Sequence, residues 1–278
     1  MIQILENLKI VTDEELAEVC KKLNTVYTKS PFPHPRIKGI ILDTRKINLD
    51  EYLNLKVISR VGVGLDNIDL EECKRRGIKV YNTPCNELTD SVAEFTVMQI
   101  LNFLRKNNDV LFNKTVGIIG KGRIGGRVFD IFYDAKMVRN LYYYDIKDVD
   151  KFNLYHCSKE TILESDIICV HISGNEEVIG EKEIKDMKNG VIIVNMAREG
   201  CVNIEAVLNG IRDNKISGYI TDVDGNFLFY KMGLNTFLPC MDIKEKFLFT
   251  PHIASDTISA RTAMENLALQ NLIKGLKE

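Results

Sequence analysis

Apolar residues in this chain fall into short continuous runs, separated by stretches where they recur at every third or fourth position. The runs at 37–42, 55–59, 78–81, 116–119, 141–144, 167–172, 191–195, 217–223 and 247–250 read as strands buried on both faces. Helical spacing appears after Thr12 (Leu16, Val19, Leu23), over 70–76 up to Gly77, and from Thr89 (Val92, Phe95, Met98, Leu101, Leu104). It returns after Gly125, over 181–187 and 204–211, and from about Asp256 to the end (Ile258, Met264, Leu267, Leu272, Leu276). Thr12 followed by Glu15 has the form of a capping box, and Gly77 and Gly190 follow two helical stretches as stops. Prolines at 31, 33 and 35 make that segment a loop. Strand and helix alternate almost throughout, which predicts an α/β fold with doubly wound parallel sheets. The early strands form a small α/β unit of their own, and the polar residues 105–109 read as a linker before a second unit. Residues 224–246 are irregular and rich in aromatics.

Composition narrows the class. The 278 residues are 45% hydrophobic and 27% charged, which is globular and long enough for two modest cores. A formal net charge of −2 offers no electrostatic case for nucleic acid or an anionic membrane. No apolar run approaches the ~20 residues that span a bilayer, and the acidic start of the chain lacks the basic region of a secretion signal. Seven scattered cysteines with no CxxC pair read as reduced thiols of a cytoplasmic protein, not as a disulfide or metal framework.

The chemistry concentrates first at Gly120, Gly122 and Gly125. They follow the run 116–119, precede a helical stretch (Ile124, Val128, Ile131, Phe132), and lie ahead of a second run that ends on Asp145. Strand, glycine turn, helix, strand and acid in that order form the layout of a dinucleotide site. Gly120 allows the tight turn, Gly122 the approach of a pyrophosphate, and Gly125 the packing of helix on strand. The helix N-terminus offers N–H groups to phosphate. Asp145 accepts hydrogen bonds from an adenosine ribose and repels a 2′-phosphate, which favours NAD over NADP.

Four more segments put polar groups at strand ends, where ligands of open α/β sheets bind. Arg60 with Gly62, Val63 and Gly64 exposes backbone N–H groups suited to a carboxylate, or is an ordinary strand-to-helix turn. Arg198, just past the strand 191–195, can hold a carboxylate bidentately, or pair with a nearby acid such as Glu199. Asp222 and Asp224 end another strand and can bind a cofactor amide or support a histidine, unless they are merely solvated acids. His252, between the last strand and the final helix, suits proton transfer near neutral pH. His171, just after an apolar strand on the same edge, is grouped with the cofactor contacts, whereas His34 and His156 read as bystanders. A site combining NAD, an arginine and a histidine is suited to moving a hydride and a proton while anchoring an acid.

With these residues in place, the chain from about Leu55 onward resembles the NAD-dependent D-2-hydroxyacid dehydrogenases, a family that includes D-3-phosphoglycerate dehydrogenase. The ordered set carrying the resemblance comprises the segment 55–69, Asn82 to Pro84, Val92 to Glu94, Gly120 to Gly125, Asn195 to Gly200, Asp222 with Val223, and Thr250 to Ile253. It implies a Rossmann-type domain inserted into a smaller flavodoxin-like domain. Residues 1–90 and 256–278 would form the substrate domain and 91–255 the NAD domain. It further implies His252 as acid/base and Arg198 as the grip on the substrate carboxylate and carbonyl, aided by the N–H groups of Val63 and Gly64. Arg123 and Ile124 would lie on the pyrophosphate, Asp145 on the ribose and Asp222 on the nicotinamide carboxamide, with Thr83, Met196 and Ala197 as further contacts. Arg60 matches an arginine that meets the substrate phosphate in phosphoglycerate dehydrogenases, which points toward a phosphorylated or otherwise anionic acid. A homodimer through the NAD domain is also implied.

Two positions depart from the family pattern. Phe227 stands where a glutamate normally supports the histidine, with Asp224 and Glu245 as candidate substitutes, and Ser173 replaces a usual proline. The expectation is therefore a cytoplasmic NAD-dependent enzyme interconverting a D-2-hydroxyacid and its 2-oxoacid. The alternative is an NAD-binding regulatory or scaffold protein with weak or no catalysis.

Overall fold

A computed structural model describes residues 1–5, 8, 11–147, 154–223 and 245–278. The chain divides into two compact units, Met1–Leu88 with Asp256–Glu278 and Thr89–Ser255.

In the first unit, β1 (Ile2–Ile4), β2 (Tyr27–Thr28), β3 (Gly39–Leu42), β4 (Val57–Arg60) and β5 (Lys79–Tyr81) form a parallel sheet in the order β2-β1-β3-β4-β5. That is the flavodoxin-like order. The short strands β1 and β2 leave no mark in the apolar pattern, because three and two residues carry too little of it. Helix α1 (Asp13–Lys22) opens on the expected capping box, with the Thr12 side chain accepting from the Glu15 amide and Glu15 from the Thr12 amide. Helix α2 (Leu70–Arg75) is capped by Asp69.

The last helix, α8 by chain order (Ile258–Lys277), starts two residues later than expected, capped by Thr257. Its buried face also differs. Ile258 is 81% exposed, and the buried stripe runs through Ala260, Met264, Glu265, Ala268, Leu272 and Gly275. Small residues serve because the helix lies close on the sheet: a Cβ at Gly275 would sit 2.9 Å from Val57 and from Tyr81. Ser59 Oγ also donates to the Ala268 carbonyl at 2.8 Å.

Helix α3 (Asn86–Lys106) leads into the second unit and starts three residues before the Thr89 expected from sequence. Thr89 and Ser91 look like capping residues but are buried inside the helix, and Ser91 Oγ instead donates to the carbonyl of Ala254 at 2.7 Å. A residue type suited to a cap here makes a tertiary bond.

The strands β6 (Thr115–Ile119), β7 (Asn140–Tyr144), β8 (Ile167–Val170), β9 (Val191–Asn195), β10 (Ile216–Thr221) and β11 (Phe247–Phe249) are all parallel, in the order β11-β10-β9-β8-β6-β7. An isolated parallel bridge from Tyr143 to His156 extends the sheet beyond β7. Helices α4 (Arg123–Ala135), α5 (Lys159–Leu163), α6 (Glu181–Asp186) and α7 (Ile204–Arg212) complete the unit among the described residues. The strands bury both faces: Ile168, Val170 and Ile193 enter one core, while Ile167, Cys169 and Val194 enter the other. This explains why their sequences read as continuous apolar runs rather than alternating ones.

The order in which strands are added reverses between β6 and β8, since β6 leads to β7 on one side and β8 opens the other. Such a switch point, at the carboxyl ends of the strands, is where open sheets take ligands. Gly120, Asp145, His171, Met196, Asp222 and Thr250 each directly follow a strand of this sheet, so the fold lines them along one edge.

Candidate active site

The glycine turn is built as the sequence spacing requires. Gly120 has φ +91°, and a Cβ there would lie 2.9 Å from the backbone of His171 and Ile172. A Cβ at Gly125 would stand 1.9 Å from the carbonyl oxygen of Gly120, so α4 approaches the strand end to a distance only glycine permits. Gly122 differs, for none of the described residues lies within 4 Å of the place its Cβ would take. Gly122 is the N-cap of α4 and makes no side-chain cap bond, which leaves the first N–H groups of the helix to an external anion. Arg123 is exposed beside that open space and Ile124 half-buried.

Asp145, at the end of β7, is tied to this turn. Its Oδ2 accepts the Lys121 amide at 2.8 Å and its Oδ1 the Lys147 amide at 2.9 Å. Lys121 then turns its amine onto aromatic faces, 4.1 Å from the Tyr143 ring centroid and 4.4 Å from that of Phe129.

His171 follows β8 and packs its Cβ against Gly125. Its amide donates to the Ile119 carbonyl at 2.8 Å, but among the described residues neither buried ring nitrogen has a hydrogen-bond partner. Burial holds the imidazole neutral, its pKa lowered to about 4. An uncharged ring behind the glycine turn, unsatisfied among the described residues, is a polar group awaiting a partner.

Past β9, Met196 and Ala197 are buried and Arg198 half-buried. The local geometry is fixed by Asn195, which is fully buried. Its Oδ1 accepts the Ala197 amide at 3.1 Å and its Nδ2 donates to the Arg198 carbonyl at 2.9 Å. Arg198 Nη1 donates to the Ala197 carbonyl at 2.7 Å.

Asp222 is 3% exposed and organises the far end of the edge. Its Oδ1 accepts from Thr250 Oγ1 at 2.5 Å and from the Ile253 amide at 2.9 Å, and its Oδ2 from the Ala254 amide at 2.8 Å. The residue inside this bracket is His252, exposed and in the left-handed backbone region at φ +58°. Phe227 and Asp224 lie outside the described residues, and Glu245 is exposed.

In the first unit, Arg60 ends β4, and its Nη1 donates to the Val61 carbonyl. The guanidinium lies over Gly62, so near that a Cβ there would meet Nη1 at 1.2 Å. Gly62 has φ +128°, and its amide donates to the buried Thr83 Oγ1 at 2.6 Å. Val63 is 39% exposed and Gly64 half-buried, and Asn82 Nδ2 holds the Val63 carbonyl at 2.8 Å.

The residues expected on the cofactor in the second unit thus gather on one strand edge, while Arg60, Val63, Gly64 and Thr83 share a loop system in the first. Three positioning groups, Ser91, Asn195 and Thr250, are not singled out by their sequence context. Asn195 and Thr250 lie inside motifs, but their roles depend on where their side chains point. Among the described residues no helix is long and apolar enough to cross a membrane, and no three His, Cys, Asp or Glu side chains form a metal-binding group. None of the six described cysteines is in a disulfide. Burial pushes the thiols of Cys157 and Cys169 up to about 11 and about 12, so they stay protonated and inert.

The edge fits NAD on its own chemistry: an uncapped helix start beyond an open glycine, a carboxylate at the end of the next strand, and an unsatisfied buried imidazole. Comparison with known proteins agrees. Residues 96–254 match the family model of the D-isomer specific 2-hydroxyacid dehydrogenase NAD binding domain. A glyoxylate reductase of Thermofilum pendens is 35% identical, the match covering 82% of this chain and 74% of that protein. A hydroxypyruvate reductase of Thermotoga maritima is 30% identical over 98% of this chain and 92% of its own length. Among solved structures, the D-lactate dehydrogenase of Aquifex aeolicus, complexed with NAD and lactic acid, superposes with a TM-score of 0.75 at 25% identity, covering 97% of this chain and 93% of that one. The chain belongs to the D-isomer specific 2-hydroxyacid dehydrogenases, and is an NAD-dependent oxidoreductase acting on a CH–OH group.

Proposed function

We propose that this enzyme interconverts a small D-2-hydroxyacid and its 2-oxoacid, of the glyoxylate or hydroxypyruvate class, with His252 as acid/base and Arg198 as substrate anchor. The observation that carries the reading is the bracketed presentation of His252 at the strand edge that also bears the glycine turn and Arg198. Bound NAD(H) supplies or takes the hydride at C2. In the reducing direction His252 donates a proton to the carbonyl oxygen, and in the oxidising direction it removes one from the hydroxyl. Arg198 holds the carboxylate and polarises the adjacent carbonyl, and the N–H groups of Val63 and Gly64 add donors. Gly120, Gly122, Arg123, Ile124 and Gly125 receive the pyrophosphate and Asp145 the ribose. Thr83, His171, Met196 and Ala197 line the cofactor. Among the described residues three of the four acceptor positions on Asp222 are taken, and the one remaining on Oδ2 suits the carboxamide.

The substrate class rests on the relatives' names and on Arg60. Its guanidinium is bonded to its own loop and lies over Gly62, so a phosphorylated acid loses the support that this arginine offered. The alternative of a non-catalytic NAD-binding regulator rested on Phe227, which is outside the described residues. A cytoplasmic homodimer joined through the NAD-binding unit completes the reading.

The test is NADH oxidation followed at 340 nm with a panel of 2-oxoacids. Turnover of glyoxylate or hydroxypyruvate, lowered about 10²–10⁴-fold but still measurable in His252→Ala, is expected. Tight NADH binding without turnover of any 2-oxoacid would overturn the enzymatic reading.

A further inference from the structure

We infer that Asp222 is the positioning residue for His252, a task separate from any contact it makes with the cofactor. The inference rests on the reading of His252 as the acid/base. The Asp222 carboxylate takes bonds from residues on both sides of the histidine: the Thr250 hydroxyl two positions before it, and the Ile253 and Ala254 amides one and two positions after. His252 itself sits at φ +58°, a conformation that a non-glycine residue keeps only where its surroundings over-determine it. Those surroundings are on hand. The Thr250 amide donates to the Thr221 carbonyl at 3.0 Å, the Ala254 carbonyl accepts from Ser91 at 2.7 Å, and Asp222 fills the interval between them.

The arrangement needs a carboxylate, because a backbone N–H points at each of its two oxygens and neither N–H can accept in return. An asparagine would turn an NH2 toward one of those N–H groups. A displacement of the imidazole by about 1 Å is enough to cost on the order of 10²-fold in rate. Orientation of the histidine is thereby assigned to a residue fixed at the end of β10, independently of what occupies position 227.

The experiment is a double-mutant cycle on the intact enzyme, reading kcat and the dissociation constant for NADH together. Asp222→Asn should lower kcat about 10²-fold. Thr250→Val, which removes one bond without touching the carboxylate, should lower kcat about tenfold at unchanged NADH affinity, and Thr250→Ser should restore it. In a His252→Ala background both losses should vanish. Should Asp222→Asn cost the same factor with and without His252, Asp222 acts on the cofactor alone and the positioning role is wrong. Thr250→Val with wild-type kcat would also sink it, and serves if Asp222→Asn does not fold. Full turnover by His252→Ala alone would remove the acid/base reading, and this inference with it.

Discussion

Gly125 and the carbonyl oxygen of Gly120 approach so closely that a single added methyl on Gly125 would stand 1.9 Å from that oxygen. The clash is with backbone, so no rotamer relieves it. Gly125→Ala should therefore push α4 off the strand end. The expected cost is about 1–3 kcal/mol of stability and a weakening of NADH binding by a factor of ten or more. Thermal melting and NADH fluorescence titration check both. Gly122→Ala, where the Cβ meets open space, should instead leave stability nearly unchanged and weaken only the cofactor.

Arg198→Lys keeps the charge but loses the fork that pairs with a carboxylate. A loss of roughly 2–3 kcal/mol of transition-state binding, about 10²-fold in kcat/KM for the 2-oxoacid, is expected at unaltered NADH affinity. Steady-state kinetics with equilibrium titration separates the two. Equal losses in both would mean that the arginine serves the cofactor instead.

Asn195→Leu should mimic part of that defect without touching substrate. Removing the amide leaves the Ala197 N–H and the Arg198 carbonyl without their partner, at a cost of about 2 kcal/mol or more. The turn carrying Arg198 then loosens, and KM for the 2-oxoacid rises. Asn195→Asp, which retains the acceptor for Ala197 but sets a buried carboxylate oxygen against the Arg198 carbonyl, should be no milder.

Asp145→Ser should cut NADH affinity about tenfold while improving relative use of NADPH. Its carboxylate binds the amides of Lys121 and Lys147, so some loss of order in the glycine turn accompanies the change. The ratio of kcat/KM for the two cofactors is the measurement, and an unchanged ratio would place the ribose elsewhere.

The buried His171 predicts a pH dependence. Its imidazole is lowered to about 4 by burial, from an ordinary value near 6.5. Above 6.5 both folded and unfolded chains carry it neutral, and it contributes no slope. Between 6.5 and 4 the unfolded chain takes up a proton that the folded one refuses. Stability should thus fall with decreasing pH by about 1.4 kcal/mol per pH unit from this group. Urea melts of the wild type and His171→Asn across that window should differ by this slope, and parallel curves would refute the assignment.

How much of this was legible in the sequence follows from the range of each interaction. Local periodicity is set by neighbours along the chain, so β9 appears at its predicted span, and β6 and β7 each begin one residue before theirs. The glycine turn was equally visible, because its steric demands involve residues within one strand-turn-helix. Errors arose where a distant partner decided. Helical spacing pointed to a start at Thr89, whereas α3 begins at Asn86 and Ser91, inside it, bonds the distant Ala254 carbonyl. The last helix buries Met264 and Leu272 as expected, but close approach to β4 and β5 set Ala268 and Gly275 beside them and left Ile258 outside.

By itself, then, the sequence determined the α/β class, the dinucleotide turn and the identities of Arg198 and His252 as candidate chemical groups. Each is written in residue type and short-range spacing. Tertiary structure alone decided how those groups are held: Asn195 beneath Arg198, Asp222 astride His252, and an imidazole at 171 kept neutral by its surroundings. A hydrogen bond between residues 31 positions apart leaves no periodic trace in the chain. Only packing the strands side by side, with their carboxyl ends in one row, brings its donor and acceptor within 3 Å.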